Sequence, residues 1–230
     1  MLKNELMLRN PMRILNRAVE APLPPGGFGA VLARAGVGKT AFLVQLALDS
    51  LIEGRNVLHI SLNDPVQKVS LWYQEVLQTT AAEQSVREIT PLWESLQPHL
   101  FIMTFRVDGF SAPRLEERMT DLTAQGIFQP EVLLVDGLPF DEPTSGAMLT
   151  DLKALADRFQ LRTWFTVRTH RHEAPDEGGL PPQIQPVDGL FDILVQLSPE
   201  GGSVQVQPLR GVGELSLVLD PATMLVRGGS

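Results

Sequence analysis

The sequence predicts an α/β fold: a mainly parallel sheet flanked by helices, with a C-terminal antiparallel β edge. Three observations carry this. Apolar runs of strand length (29–33, 56–62, 100–105, 131–136 and 162–167) alternate with stretches whose apolar residues recur at helical spacing. The runs are apolar at successive positions rather than alternate ones, as strands covered on both faces must be. Beyond residue 192 the helical spacing stops, and short strand-like runs parted by Gly201-Gly202 and Gly211-Val212-Gly213 take over.

Residues 1–20 place Leu2, Leu6, Leu8, Met12, Leu15 and Val19 among basic residues, a loosely amphipathic arm. It reads equally as a tail or as an arm that packs on a neighbouring subunit. Ala21-Pro22-Leu23-Pro24-Pro25-Gly26-Gly27 reads as a stiff linker, so the expected division is an arm and linker over 1–25 and one domain over 26–230. Residues 40–53 are apolar on nearly every face, which predicts a helix buried against the sheet, with Gly54 just past its end. After Pro65, a helix presents Val69, Trp72, Val76 and Leu77 on one face, and residues 79–98 show no clear period. Leu115, Met119 and Leu122 place a helix before Gly126. Met148, Leu149, Leu152, Leu155, Ala156 and Phe159 place another. A polar, Pro- and Gly-rich loop over 168–188 leads to three short strands at 192–197, 203–209 and 214–219.

At 230 residues the chain suffices for one domain with a full core and is short for two. The absence of cysteine excludes disulfides and thiolate metal sites. No apolar run reaches membrane-span length, and the N-terminus lacks a signal-peptide core, so a soluble cytoplasmic protein is expected. The net charge of −8 disfavours nucleic acid, whose phosphates call for clustered positive charge.

The chemistry concentrates in Gly29-Ala30-Val31-Leu32-Ala33-Arg34-Ala35-Gly36-Val37-Gly38-Lys39-Thr40: a strand, a turn ending in Gly-Lys-Thr, then a helix. This is the context of a phosphate-binding P-loop, with Ala33 standing at the usual first Gly. Gly36 and Gly38 let the backbone curl so that the N–H groups of Arg34, Ala35, Gly36, Val37 and Gly38, and of Lys39, Thr40 and Ala41 at the helix start, converge on phosphate oxygens. Lys39 would reach the β- and γ-phosphates of ATP, and the Thr40 hydroxyl would ligate Mg²⁺. The bland alternative is a Gly-rich turn that happens to hold a lysine. Asp136 closes an apolar run of four, the form of the second nucleotide motif (Walker B), where a carboxylate holds a Mg²⁺-bound water opposite Thr40. Many buried strands also end in Asp simply to cap a turn.

With both motifs in this order, residues 26–226 resemble the RecA-like P-loop ATPases, within them the KaiC and DnaB-helicase branch. His59-Ile60-Ser61-Leu62-Asn63-Asp64-Pro65 looks like the strand where that family shows Ser-x-Glu, and Leu152-Lys153-Ala154-Leu155-Ala156 looks like the helix after its second motif. Arg168 falls where the family has a γ-phosphate-sensing Gln. Val204-Gln205-Val206-Gln207-Pro208-Leu209-Arg210-Gly211 resembles its late strand ending in Lys-x-Arg-Gly. The resemblance implies Mg²⁺-dependent ATP binding, a homo-oligomer and an Arg210 that touches the neighbouring subunit's nucleotide. In a monomer Arg210 is expected on an edge strand with no anionic partner.

The departures bear on turnover. Asn63 stands where the family's water-polarising Glu does, and Asn accepts no proton near neutral pH. Asp64 is the remaining carboxylate to position water, and Pro208 replaces the late Lys. The resemblance therefore implies weak or regulated hydrolysis, or a pseudo-ATPase that uses nucleotide as a switch for a protein partner. A DNA-associated motor suffers from the charge, and a small-molecule kinase lacks an acceptor pocket.

Among lesser candidates, Arg168-Thr169-His170-Arg171-His172-Glu173 reads as a metal cluster, as a basic loop near the γ-phosphate or a pore, or as a solvated loop. Asp141-Glu142 reads as the solvated start of a helix. Trp72, Tyr73 and Trp93 follow apolar spacing and read as core or subunit-contact residues. His59, inside an apolar strand, reads as a satisfied core histidine.

Overall fold

Strands that are apolar on both faces can hide both only between two helical layers, and this requirement dictates the architecture. The computed structural model describes residues 23–83, 89–170, 172–213 and 217–225. The strands are β1 (Phe28–Ala33), β2 (Val57–Ser61), β3 (Leu100–Thr104), β4 (Val132–Asp136), β5 (Arg162–Arg168), β6 (Ile193–Glu200), β7 (Ser203–Arg210) and β8 (Leu217–Leu219). They form one sheet in the order β3-β2-β4-β5-β1-β6-β7-β8. Every pairing from β3 to β6 is parallel, whereas β7 and β8 add antiparallel to β6 and β7. An α/β sheet that is mostly parallel with an antiparallel C-terminal edge is thus present, and it fits a RecA-like domain in general terms.

Helices α1 (Lys39–Ile52), α2 (Val66–Glu83) and α3 (Ile89–Leu96) cover one face, and α4 (Ala112–Ala124) and α5 (Ser145–Phe159) cover the other. The core on the first face takes Phe42, Leu43 and Leu51 from α1 and Tyr73 and Leu77 from α2, all buried. The opposite core is built on an aromatic group. The Phe165 ring sits 4.8 Å from Phe28, 5.7 Å from Phe191 and 6.0 Å from Phe140, at steep interplanar angles that suit aromatic quadrupoles. No helix among the described residues is long and apolar enough to cross a membrane.

Three readings need correction. The described residues within 79–98 form the end of α2, all of α3, whose Leu92 and Leu96 are buried, and the start of a 3₁₀ turn over Gln97–His99. An eight-residue helix displays only two turns of its period, too few to read from sequence. The expected linker is partly core: Leu23 is buried, its carbonyl accepts from Arg162 Nε at 3.0 Å, and Gly26 N–H donates to Leu161 O at 2.9 Å. The long loop after β5 contains a 3₁₀ turn over Gln185–Leu190 that packs on α5. The arm over 1–20, the first two linker residues Ala21 and Pro22, and Glu214 to Ser216 of the last expected strand lie outside the described residues.

Phe165→Ala removes the ring that three other aromatics pack against. It should lower the unfolding free energy by about 3–5 kcal/mol, read as a shift of the urea midpoint by circular dichroism with an unchanged slope.

Candidate functional site

The parallel register aligns the carboxyl ends of β1, β4 and β5, and there the site residues meet. Ala33 pairs with Arg168 across β1 and β5, and Ser61 pairs with Asp136 across β2 and β4. The loop over 34–38 rises from β1 and turns into α1. Gly36 and Gly38 hold φ values of 78° and 108°, a region that side chains rarely adopt. Space around Gly36 is open, whereas a Cβ on Gly38 would lie 2.6 Å from the Met224 sulfur.

Lys39 folds back over this loop. Its Nζ donates to the carbonyls of Ala33 and Arg34, each at 3.0 Å. Burial pushes the ammonium below its ordinary pKa. The Asp136 carboxylate opposes that shift, and the Arg168 charge adds to it. Asp136 is held from two sides: Thr40 Oγ1 donates to Oδ2 at 2.8 Å, and Thr166 Oγ1 donates to Oδ1 at 2.6 Å. Gly137 N–H donates in turn to Thr166 Oγ1 at 3.0 Å. Three elements, α1, β4 and β5, are therefore tied through one carboxylate.

A divalent cation prefers such oxygens, a carboxylate beside a hydroxyl. Lys39, now on two neutral carbonyls of its own loop, has donors to offer a phosphate oxygen, the stronger charged acceptor. The loop N–H groups and the start of α1 complete a cradle whose chemistry fits a phosphate chain with Mg²⁺. Arg168, the exposed last residue of β5, stands at the same edge.

The carboxylate and amide after β2 take different places. Asn63 lies over Gly137, so close that a Cβ at that glycine would sit 2.1 Å from Asn63 Nδ2. Asp64 accepts from Lys68 Nζ at 2.8 Å, one helical turn along α2, and its N–H donates to Ser61 Oγ at 3.0 Å. The amide, not the carboxylate, is what flanks the residue after Asp136.

Arg210 departs from expectation. It is not without an anionic partner: its guanidinium donates to the Asp188 carboxylate and carbonyl on the 3₁₀ turn. The register also pairs Arg210 with Leu194 near the start of β6, away from the carboxyl edge where the 34–38 loop sits. His170 lies 3.4 Å from Asp141 rather than gathering with His172 and Glu173, and no group of three potential metal ligands occurs among the described residues. Arg171 lies outside them. Tyr73 is buried, and Trp72 and Trp93 are half-buried against the same core.

Two contributors escaped the sequence reading. Thr166 is a polar residue within an apolar strand, a signal visible once Asp136 is sought a partner. Met224, with φ of 57°, packs its side chain on Gly38, and its carbonyl accepts from buried Gln45 Nε2 at 2.8 Å. Gln45, the polar residue amid the apolar face of α1, was the available clue.

His59 corrects another expectation, because only half of it is satisfied. Its Nδ1 is 2.9 Å from the Tyr73 hydroxyl, while Nε2 is buried without a partner. Burial lowers its pKa from 6.5 to about 4, against an opposing pull from Asp136. The unfolded chain therefore binds a proton below pH 6.5 that the folded chain refuses until about pH 4, so stability falls as pH drops through that window and is unaffected above it. Urea unfolding at pH 7 and pH 4.5 should show wild type losing more stability than His59→Gln, by on the order of 3 kcal/mol or less. Equal losses would remove His59 as the cause.

Compared by sequence, the chain matches no protein-family model and no curated protein.

Proposed function

We propose that this chain is a RecA-like P-loop protein of the KaiC/DnaB-helicase-like branch that binds ATP with Mg²⁺ and turns it over slowly. The observation that carries this reading is the tie of Thr40 to Asp136, with Lys39 folded over a glycine loop at the same sheet edge. The N–H groups over 34–41 and Lys39 would hold the phosphates, and Thr40 and Asp136 would hold the metal and its water. Mg-ATP would bring to this site a phosphoanhydride bond whose developing charge the cation and Lys39 neutralise.

Slow turnover follows from what flanks that site. Asn63 lies against Gly137, the residue after Asp136, but cannot take a proton, and Asp64, which can, is engaged by Lys68. A positioned base contributes roughly 10²–10⁴-fold, and that contribution is curtailed here. The Asp64–Lys68 pair also favours a second reading, a pseudo-ATPase in which bound nucleotide switches contact with a protein partner. Association of subunits remains part of the proposal. A trans role for Arg210 then requires release from Asp188, which light scattering with and without Mg-ATP would register as assembly weakened by Arg210→Ala.

Lys39→Ala should abolish the heat of Mg-ATP binding in a calorimeter, and Asp136→Asn should remove only its Mg²⁺ dependence. Unchanged affinity in Lys39→Ala overturns the assignment. Phosphate release separates the two readings. Slow turnover lost in Asp64→Ala supports the ATPase, and tight binding with no turnover supports the switch. Asn63→Glu, which places a base against the residue after Asp136, should raise turnover on the order of 10²-fold.

A further inference from the structure

Two threonines lie buried on β5, and they fare differently. Thr163 keeps a hydroxyl with no hydrogen-bond partner, whereas the hydroxyl of Thr166, only 3% exposed, is engaged twice. The register that pairs Val135 with Phe165 sets Asp136 beside Thr166 where β4 and β5 end.

The sense of both bonds follows from counting protons. A hydroxyl has one proton, and the Gly137 N–H, 3.0 Å away, can only donate. Thr166 Oγ1 accepts from it and gives its own proton to Asp136 Oδ1, 2.6 Å away. Gly137 cannot easily swing aside, because its φ is 92° and the Asn63 amide lies against it. Thr166 is held as firmly, since a β-branched side chain buried in a strand has little choice of χ1. Thr40 donates to the other oxygen, Oδ2, at 2.8 Å. The carboxylate is thus pinned with one oxygen turned to β5 and the other to α1.

This division of the two oxygens bears on which cation the site accepts. Mg²⁺ keeps several of its waters and calls on few protein oxygens. Ca²⁺ is larger, takes about six to eight oxygens and readily draws both from one carboxylate. Turning both Asp136 oxygens to one ion would break the Thr166 bond and leave a buried hydroxyl without its acceptor, which is costly. Use of Oδ2 alone, on the Thr40 side, carries no such loss.

We propose that Thr166 is a positioning residue that confines Asp136 to presenting one oxygen, and so makes the site select Mg²⁺ over Ca²⁺. The inference rests on the nucleotide-binding reading above. It deepens that reading by assigning the choice of metal to a residue outside both nucleotide motifs.

Calorimetric titration of the full chain with Mg-ATP, with Ca-ATP and with ATP in EDTA tests this without relying on turnover. Wild type should bind Mg-ATP about tenfold tighter than Ca-ATP. Thr166→Val keeps the shape and removes the hydroxyl. It should bring the two affinities within about twofold, chiefly by strengthening Ca-ATP, and leave metal-free ATP unchanged. Thr166→Ala should narrow the ratio in the same way, so the test survives if the valine variant fails to fold. Thr166→Ser, which restores the hydroxyl, should return the wild-type preference. Equal affinities in wild type, a ratio unmoved in Thr166→Val and Thr166→Ala, or equal weakening of both metal complexes would overturn the proposal and leave nucleotide binding standing. Failure of wild type to bind Mg-ATP at all would overturn the nucleotide reading, and this inference with it.

Discussion

The Asp136 carboxylate holds the centre of this molecule together. It accepts from Thr40 at the start of α1 and from Thr166 on β5, while Gly137, the next residue, donates back to Thr166. A half-buried carboxylate with two hydroxyl donors has its charge well solvated by the protein, and removing any one donor leaves an oxygen in need. The consequence is positional. The loop over 34–38 spans from β1 to a helix whose first residues are anchored two strands away, so its glycines can hold φ values of 78° and 108° without the loop relaxing. Lys39, carried on that same helix start, has little choice but to lie over the loop.

The helix layer behind this anchor is tuned to it. α1 is buried along nearly its whole length, yet Gln45 sits in the middle of it to take the Met224 carbonyl. Met224 in turn covers Gly38, so the end of the described chain packs on the same loop that Asp136 anchors from the other side. Any side chain at position 38 would meet both a forbidden dihedral and the methionine. The glycine is therefore demanded twice, once by backbone geometry and once by packing.

The single sheet between two helical layers, its antiparallel edge and the meeting of the 33–40 loop with Asp136 were legible in the sequence, because each rests on local pattern: doubly apolar strands, a Gly-rich turn, an aspartate closing an apolar run. What was illegible depends on partners distant in the chain. Thr166 gains its role only because β5 lies between β1 and β4, an order no local pattern encodes. Arg210 was read as lacking an anion, yet Asp188 lies on a 3₁₀ turn that the polar, proline-rich composition of its segment disguised as loop. His59 was expected to be satisfied, and whether its second nitrogen finds a partner depends on what packs above β2. Short α3 failed for want of length rather than of pattern.

Charge of both signs is distributed along the carboxyl edge of the sheet. Lys39 and Arg168 stand on the side of β1 and α1, while Asp141, Glu142 and Glu173 stand on the side of α5. Both groups grow from loops of the same parallel strands, so a single edge presents opposite signs a short distance apart. Charges of opposite sign that are not paired with each other keep their fields available to ligands. The acidic side discourages phosphate from straying there, and the basic loop discourages a cation from settling over the glycines. On the proposed reading, that separation keeps the carboxylates of the segments after β4 and β5 clear of the glycine loop, so the edge of β1 and α1 stays open to an anionic nucleotide.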